Sequence, residues 1–342
     1  MKQIRNIKKS SFFKKIFIKF CRIVGFEIID QSNLYVTTSE KLANDNLSIL
    51  GKRNINIPLG ETKITREIKS LDIIIKTCTS VNLVTQSKNR VFEKDKSEYT
   101  FRTINSLINS LKFNEDLLKK IIIKIFIVDY NSKKEDLEKI KEKFIETDIP
   151  FEIINVNLDQ FKQIKTLNKN NVVIENNMKA TMASIQTSFD IAKEKCKDLI
   201  YFVEDDYIHK RESIFEMISS YEKLSTELKR ELFICPVDYP FLYKKLENSN
   251  IFIGNKYHWR TVNETLLTFL TSKLLITKYW NELILMSKTE HSPFETPLHN
   301  ILNKEICISP IPSLAMHCTN VNSVFGLSPN INWKKLWDEN EF

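Results

Sequence analysis

The sequence predicts an α/β protein in which a mostly parallel sheet is flanked by helices. Short apolar segments rich in β-branched residues alternate with longer segments of helical periodicity between residues 71 and 208. Strands of this composition are typical of a sheet that is covered on both faces. Each apolar segment also ends in polar residues, and such ends gather at one edge of a parallel sheet.

The alternation starts at residue 71, after a polar stretch with no clear pattern. Strands are predicted at 72–77, 121–129, 151–156 and 199–203. Helices are predicted at 100–111, 133–145 and 178–195. Because helices separate the strands, the connections are crossovers and the strands pair in parallel.

The pattern is less regular beyond residue 210. A strand at 232–236 runs into a loop, a final strand is predicted over 306–317, and tryptophans at 333 and 337 predict a short terminal helix. We divide the chain into an N-terminal helix, an irregular lead-in, a main domain and a C-terminal tail. Their ranges are 1–30, 31–70, 71–320 and 321–342.

Length and charge narrow the classes of function. The chain has 342 residues, of which 42% are hydrophobic, enough for one large or two small domains. Residues 1–22 contain eight Lys and Arg and no acids, which accounts for the whole formal charge of +8. The rest of the chain is neutral, so its charge gives no reason to expect nucleic-acid binding.

Glycine and cysteine usage excludes several families. The five glycines stand at 25, 51, 60, 254 and 326, so neither a Walker loop nor a GxGxxG fingerprint can form. The six cysteines include no CxxC pair, which favours free thiols in a reducing cytosol. No apolar run reaches the roughly 18 residues that span a bilayer.

The N-terminal segment predicts a basic amphipathic helix. Apolar residues recur at 13, 16, 17, 20, 23 and 24, while the basic residues fall largely on other sides. Such a helix binds the surface of an anionic membrane, or packs on the main domain with its lysines solvated. We therefore expect a cytoplasmic protein, either free or peripheral at the inner face of the cell membrane.

Three adjacent carboxylates, Glu204, Asp205 and Asp206, follow the fourth strand. Like charges side by side repel one another unless a cation compensates them, and Mg²⁺ and Mn²⁺ prefer carboxylate oxygens. The alternative interpretation is an acidic surface turn. The apolar strand before the cluster favours a metal and diphosphate site.

Polar residues also end the neighbouring strands. Asp129 ends the second strand, where it could accept hydrogen bonds from a base or ribose. The residues after the first strand could line a base pocket: Thr77, Cys78 and Thr79. Asp and Thr are also common turn formers, which is the alternative.

Two further pairs could contact a ligand. Asn177 is a candidate cap of the long helix, and Lys179 could reach a phosphate. Trp259 and Arg260 offer a flat face and a fork of donors that suit a sugar or phosphate. The alternatives are a solvated lysine, and a buried aromatic beside a surface ion pair.

The order of strand ends resembles a GT-A-type glycosyltransferase of the broad family 2 kind, over roughly residues 70–320. The resemblance rests on Thr77 to Thr79, Asp129, the helix from Asn177 and the acid cluster 204–206. It implies a GT-A fold (nucleotide-diphospho-sugar transferase-like), with a nucleotide-binding half at 71–210 and an acceptor half at 211–320.

In that family, the acid cluster holds Mn²⁺ or Mg²⁺, which bridges the diphosphate of a nucleotide sugar. The resemblance implies that Asp206 ligates the metal directly, Glu204 directly or through water, and that Asp205 faces the ribose. It also makes His317 a candidate third ligand.

Inverting enzymes of this fold place an acid at the start of a late helix to deprotonate the acceptor hydroxyl. This implies Glu295 as the base, with Glu290 as the second candidate. Alternatively, Ser292 to Glu295 form a capping box with proline at the first helical position.

The sequence thus predicts a metal-dependent, inverting glycosyltransferase of surface-polysaccharide biosynthesis. It would use a nucleotide-sugar donor and a glycan or lipid-linked acceptor. One alternative is a nucleotidyltransferase, although that class usually has a glycine-rich phosphate loop. The other is a catalytically silent module of the same fold that binds glycan or membrane.

Overall fold

The structure is a computed structural model. It describes residues 12–26, 54–57, 60–80, 90–113, 119–164, 176–244, 247–288, 294–319 and 323–342. The chain forms two compact units: residues 1–46 with 56–61, and residues 47–55 with 62–342.

The first unit contains α1 (Phe12–Ile23), which confirms the predicted N-terminal helix. Its large apolar side chains are open to solvent, since Phe13, Phe17, Phe20 and Ile23 are each 58–80% exposed. Lys19 is also exposed. Within the described ranges, no helix is long and apolar enough to cross a membrane.

The strands within the described residues are β1 (Asn54–Ile57), β2 (Gly60–Lys63), β3 (Ser70–Thr77), β4 (Ile122–Asp129), β5 (Phe151–Asn155), β6 (Leu199–Glu204), β7 (Tyr207–His209), β8 (Phe233–Ile234), β9 (Ile251–Ile253), β10 (His258–Val262), β11 (Phe269–Ser272), β12 (Cys307–Ile311) and β13 (Ala315–His317). The helices after α1 are α2 (Lys96–Lys112), α3 (Lys134–Ile145), α4 (Asn176–Glu194), α5 (Ser213–Leu228), α6 (Lys273–Lys278), α7 (Trp280–Leu283), α8 (Thr296–Leu302) and α9 (Trp333–Asp338).

A nine-stranded sheet organises the second unit, in the order β5-β4-β3-β6-β11-β8-β12-β10-β9. The first four strands run parallel to one another. Strand β11 is antiparallel to both β6 and β8, so β8 and its parallel neighbour β12 run in the same direction as β6. The prediction of an α/β fold with a mostly parallel sheet flanked by helices is confirmed.

The central strands are buried because both of their faces carry apolar side chains. In β3, Ile73, Ile74 and Ile75 are all fully buried, and β6 contributes Leu199 and Ile200 to the same core. Helix α2 packs against α3 and α5, and α4 lies against β3 and β4. The layers hold the strand ends in fixed positions.

A second, two-stranded sheet lies next to the carboxyl end of β6. Strand β7 follows β6 after a tight turn and pairs antiparallel with β13, with Tyr207 opposite His317. Two distant parts of the sequence therefore meet directly beyond the acid cluster.

The C-terminal part differs from the prediction in one element. The strand expected over 306–317 is two strands, β12 and β13, which belong to different sheets. Pro312 follows β12, and proline has no N–H with which to continue the ladder. The predicted terminal helix is confirmed by α9.

Candidate active site

Three parallel strands bring their carboxyl ends to one edge of the sheet. Thr77 at the end of β3 lies opposite Asp129 at the end of β4, and Lys76 lies opposite Glu204 at the end of β6. The predicted strand-end residues are therefore neighbours in space.

The turn between β6 and β7 places Asp206 beside His317. The Asp206 Oδ2 atom lies 3.7 Å from Nε2 of His317, and the Cys318 N–H donates to the Asp206 carbonyl at 2.8 Å. Both side chains are about 90% buried. Two residues more than one hundred positions apart thus form a pair at the sheet edge.

The hydrogen bond of Nδ1 determines the tautomer of His317. Nδ1 lies 2.7 Å from the carbonyl oxygen of Phe325, which can only accept, so Nδ1 carries a proton. In the neutral ring, Nε2 then presents a lone pair to the Asp206 carboxylate. Two electron-rich atoms at this distance attract a proton or a metal cation between them.

The pair fits a divalent cation in its chemistry and spacing. Two ligands at about 2.1 Å from one Mg²⁺ or Mn²⁺ lie roughly 3–4 Å apart, and the Asp206–His317 separation is 3.7 Å. Among the described residues, no group of three or more His, Cys, Asp and Glu side chains is arranged to hold a metal. The described part of the chain thus offers two ligands.

Charges around Asp206 keep it ionised. Burial alone would raise its pKa, but His317, Lys96 and Arg90 outweigh burial and hold the pKa well below the usual range of an aspartate. The pKa of His317 is raised, because the Asp206 carboxylate outweighs the opposing effect of burial. With no metal bound, the raised pKa of His317 and the lowered pKa of Asp206 both favour the charged forms of the pair.

Asp205 is held by hydrogen bonds from α2 and from the loop after β3. Its carboxylate accepts hydrogen bonds from Lys96 Nζ at 2.5 Å, Thr100 Oγ1 at 3.0 Å and the Cys78 N–H at 3.2 Å. Lys96 and Thr100 lie in the first turns of α2. Asp205 therefore ties the start of α2 to the loop after β3.

The negative charge of Glu204 acts on the carboxyl group of Glu295. Glu204 Oε1 accepts from Lys76 Nζ at 3.1 Å. Burial, and then the negative charge of Glu204, raise the pKa of Glu295 to about 7. Glu295 is therefore a carboxyl group that can exchange a proton near neutral pH.

Glu295 precedes α8, and its side chain makes no capping hydrogen bond. Glu295 stands directly before the first helical residue, so it does not occupy the third helical position that the predicted capping box requires. Glu290 and Ser292 lie outside the described residues.

Thr77, Thr79 and Asp129 join two loops at the sheet edge. Asp129 accepts from Thr77 Oγ1 at 2.8 Å and from the Ser132 N–H at 3.2 Å. Thr79 Oγ1 accepts from the Lys133 N–H at 3.0 Å. These contacts match the turn-forming alternative, and they hold the loops after β3 and β4 together.

The structure places Trp259 and Arg260 in β10, four strands away from β6. Trp259 is fully buried. Arg260 forms an ion pair with buried Asp238, and its guanidinium lies 4.4 Å from the centre of the Tyr243 ring. The buried aromatic of the alternative interpretation is confirmed, whereas the ion pair of Arg260 is buried and not on the surface.

Asn177 and Lys179 lie in the first turn of α4, which begins at Asn176. The side chain of Asn177 lies outside the described part of the chain. Lys179 is partly exposed.

Several residues of this edge were missed by the sequence reasoning. Lys76 carried a signal, since it is a charged residue in an otherwise apolar stretch of strand. Arg90 and Lys96 carried no such signal, because both lie outside the segments of regular hydrophobic periodicity. Tyr207 stacks on the His317 ring with centroids 4.4 Å apart and shares a 2.8 Å hydroxyl contact with Tyr239.

No protein-family model matches the sequence, and no curated protein is detectably similar to it. Similar solved structures include S. aureus TarS, with 10% identity over 61% of this chain and a TM-score of 0.34. The galactosyltransferase LgtC, in complex with donor and acceptor sugar analogues, has 12% identity over 64% of this chain and a TM-score of 0.33. UDP-glucose pyrophosphorylase with UDP-glucose has 8% identity over 80% and a TM-score of 0.38.

This chain spans 48% of the TarS chain, 65% of the LgtC chain and 97% of the pyrophosphorylase chain. With TM-scores of 0.33–0.38, the likeness assigns no activity to the protein.

Proposed function

We propose that the protein is a metal-dependent glycosyltransferase that moves a sugar from a nucleotide-sugar donor to a glycan or lipid-linked acceptor with inversion. The observation that carries the proposal is the convergence of Asp206, His317 and Glu295 at the carboxyl edge of the sheet. A carboxylate–imidazole pair suited to a cation would assist the leaving group, and a carboxyl group with a pKa of about 7 would supply the base.

Glu295 is the base of this reaction. As the acceptor oxygen bonds to the anomeric carbon, its proton passes to the Glu295 carboxylate. The bond from the anomeric carbon to the phosphate oxygen breaks, and its electron pair stays on the leaving nucleoside diphosphate. A base with a pKa near the working pH accepts the proton during attack and releases it afterwards.

Asp206 and His317 would hold Mn²⁺ or Mg²⁺, with the remaining positions left to substrate phosphates and water. When bound, the cation neutralises charge on the leaving diphosphate. The Phe325 carbonyl fixes the His317 ring, and the Tyr207 ring stacked on it limits its rotation. The His317 ring is thereby preorganised as a ligand.

The test is release of nucleotide from UDP-, GDP-, CMP- and dTDP-sugars with Mn²⁺, comparing wild type with Asp206→Asn and His317→Gln. We expect slow hydrolysis of one donor class that is lost with EDTA and lowered at least 100-fold in Asp206→Asn. An exposed acid, Glu146→Gln, serves as the matched control and keeps full activity.

Other outcomes identify the alternatives. Release of pyrophosphate from a nucleoside triphosphate and a sugar phosphate would make the protein a nucleotidyltransferase. Metal-dependent nucleotide binding without turnover would make it a silent module. Absence of both release and binding would contradict a nucleotide-dependent role for the acid cluster and leave it a structural cluster of ion pairs.

We further propose that α1 attaches the protein to an anionic membrane surface. Support comes from the exposed aromatic side chains Phe13, Phe17 and Phe20 and from the eight basic residues of residues 1–22. Flotation with vesicles of phosphatidylglycerol and phosphatidylcholine tests this. We expect binding to fall at least tenfold in the triple Phe→Glu variant and in pure phosphatidylcholine; equal binding by wild type and variant would remove the proposal.

A further inference from the structure

Arg90 is a buried guanidinium beside the proposed metal ligands. Only 8% of its side chain is exposed, and Nη2 lies 3.5 Å from Oδ2 of Asp206. Its Cζ lies 4.4 Å from the centre of the Tyr99 ring. The side chain therefore places one positive charge on the carboxylate that we assign to the metal.

The hydrogen bonding of Arg90 is incomplete. Its Nε and Nη1 groups are buried and have no hydrogen-bond partner in the part of the chain that the structure describes. An unpaired buried donor is costly, and buried arginines usually satisfy several of their five N–H groups. Arg90 is thus held by its attraction to Asp206 at 3.5 Å and by its contacts with Tyr99.

Arg102 provides an internal comparison. It is equally buried, with 7% exposure, and its Cζ lies 4.5 Å from the centre of the Trp337 ring. Its Nη1 donates to Glu98 at 2.7 Å, and it makes no contact with the acid cluster among the described residues. Arg102 has a partner of its own, whereas Arg90 shares the carboxylate of the site.

We propose that Arg90 is an exchangeable counter-ion: it neutralises Asp206 when no divalent cation is bound, and it turns to the donor diphosphate when the cation arrives. The proposal rests on the metal site of the proposed function. A guanidinium and a divalent cation compete for one carboxylate. The released guanidinium, with its N–H donors free, is then available to bind phosphate oxygens.

This arrangement predicts that removal of Arg90 changes the affinity for Mn²⁺ and the affinity for a nucleoside diphosphate in opposite directions. Removing Arg90 removes the competitor, so Mn²⁺ alone should bind more tightly. Removing it also deletes a phosphate contact, so a nucleoside diphosphate should bind less tightly at saturating Mn²⁺. A purely structural role would weaken both ligands together or leave both unchanged.

The experiment measures Mn²⁺ binding by electron paramagnetic resonance of the free ion, with and without UDP, GDP or dTDP, independently of turnover. For Arg90→Met we expect Mn²⁺ affinity without nucleotide to rise about tenfold and nucleotide affinity to fall about tenfold. Arg90→Lys keeps the charge and should leave Mn²⁺ affinity close to that of the wild type. Arg102→Met is the matched control and should change neither.

Asp206→Asn separates the two proposals. If it abolishes Mn²⁺ binding while Arg90→Met binds Mn²⁺ as the wild type does, the counter-ion role is overturned and the metal site stands. If wild type binds no Mn²⁺ with any of the nucleotides, the proposed function falls, and the counter-ion role falls with it. Arg90→Gln, which keeps a polar side chain, gives the same measurement if the methionine variant does not fold.

Discussion

At the scale of a single residue, the pKa of Glu295 predicts how turnover depends on pH. Its pKa is raised to about 7, first by burial and then by Glu204, and only the carboxylate form can accept a proton. Turnover should therefore rise with pH through about 7 and fall about tenfold per unit at lower pH. The measurement is kcat/KM against pH; an acidic limb near the ordinary glutamate range would contradict the assignment.

The Glu295→Gln variant completes that test. Turnover should drop by about 10²–10⁴-fold, and the limb near pH 7 should disappear. Unchanged nucleotide binding is the control, because the role proposed for Glu295 is toward the acceptor hydroxyl and not toward the diphosphate.

Two neighbours should move the acidic limb in opposite directions. The positive charge of Lys76 lowers the pKa of Glu295, whereas the negative charge of Glu204 raises it. Lys76→Met should therefore shift the limb to higher pH, and Glu204→Gln should shift it to lower pH, by up to about one unit each. Shifts of the same sign, or none, in the kcat/KM profile would show that another group titrates.

At the scale of elements, one carboxylate organises the loop before β10. Glu216 of α5 is fully buried and accepts hydrogen bonds from the N–H groups of Asn255, Lys256 and Tyr257 at 3.1–3.2 Å. Glu216→Ala leaves these donors unpaired and should lower the free energy of unfolding by about 3 kcal/mol. Urea denaturation measures it, with Ser220→Ala, which removes one 3.1 Å donor to Glu216, as the milder control.

The same loop requires glycine at position 254. A Cβ there would lie 2.2 Å from Nε1 of Trp259 and 2.7 Å from Oγ of Ser220. Gly254→Ala should therefore lower the free energy of unfolding by about 2 kcal/mol. In a Trp259→Phe background the alanine should cost less, because the clashing ring edge is absent. Equal costs in both backgrounds would place the clash elsewhere.

At the scale of the whole molecule, the half of the sheet that contains β3 to β6 could be predicted from sequence, and the other half only in part. Strands β3 to β6 follow one another with helices between them, so periodicity and crossover rules suffice. Strand β8 has two residues, and β11 inserts between β6 and β8 out of sequence order. Pairing of such short strands is decided by tertiary contacts that local pattern does not encode.

Some residues of the candidate site could likewise be predicted from sequence, and others could not. The acid cluster carried a signal because three charges ended an apolar strand. The partners of those acids did not: Arg90 precedes α2 outside any periodic segment, and His317 reaches Asp206 only through the pairing of β13 with β7. Long-range pairing of this kind depends on the complete fold rather than on neighbouring residues.

The out-of-order position of β11 also determines how the growing chain can fold. Strands β3 to β6 are complete once residue 204 has been synthesised, yet one edge of β6 stays unpaired until residues 269–272 emerge. An apolar strand with an open edge is a template for association with other chains. A fragment that ends before residue 269 should therefore aggregate, whereas the full chain closes that edge from within.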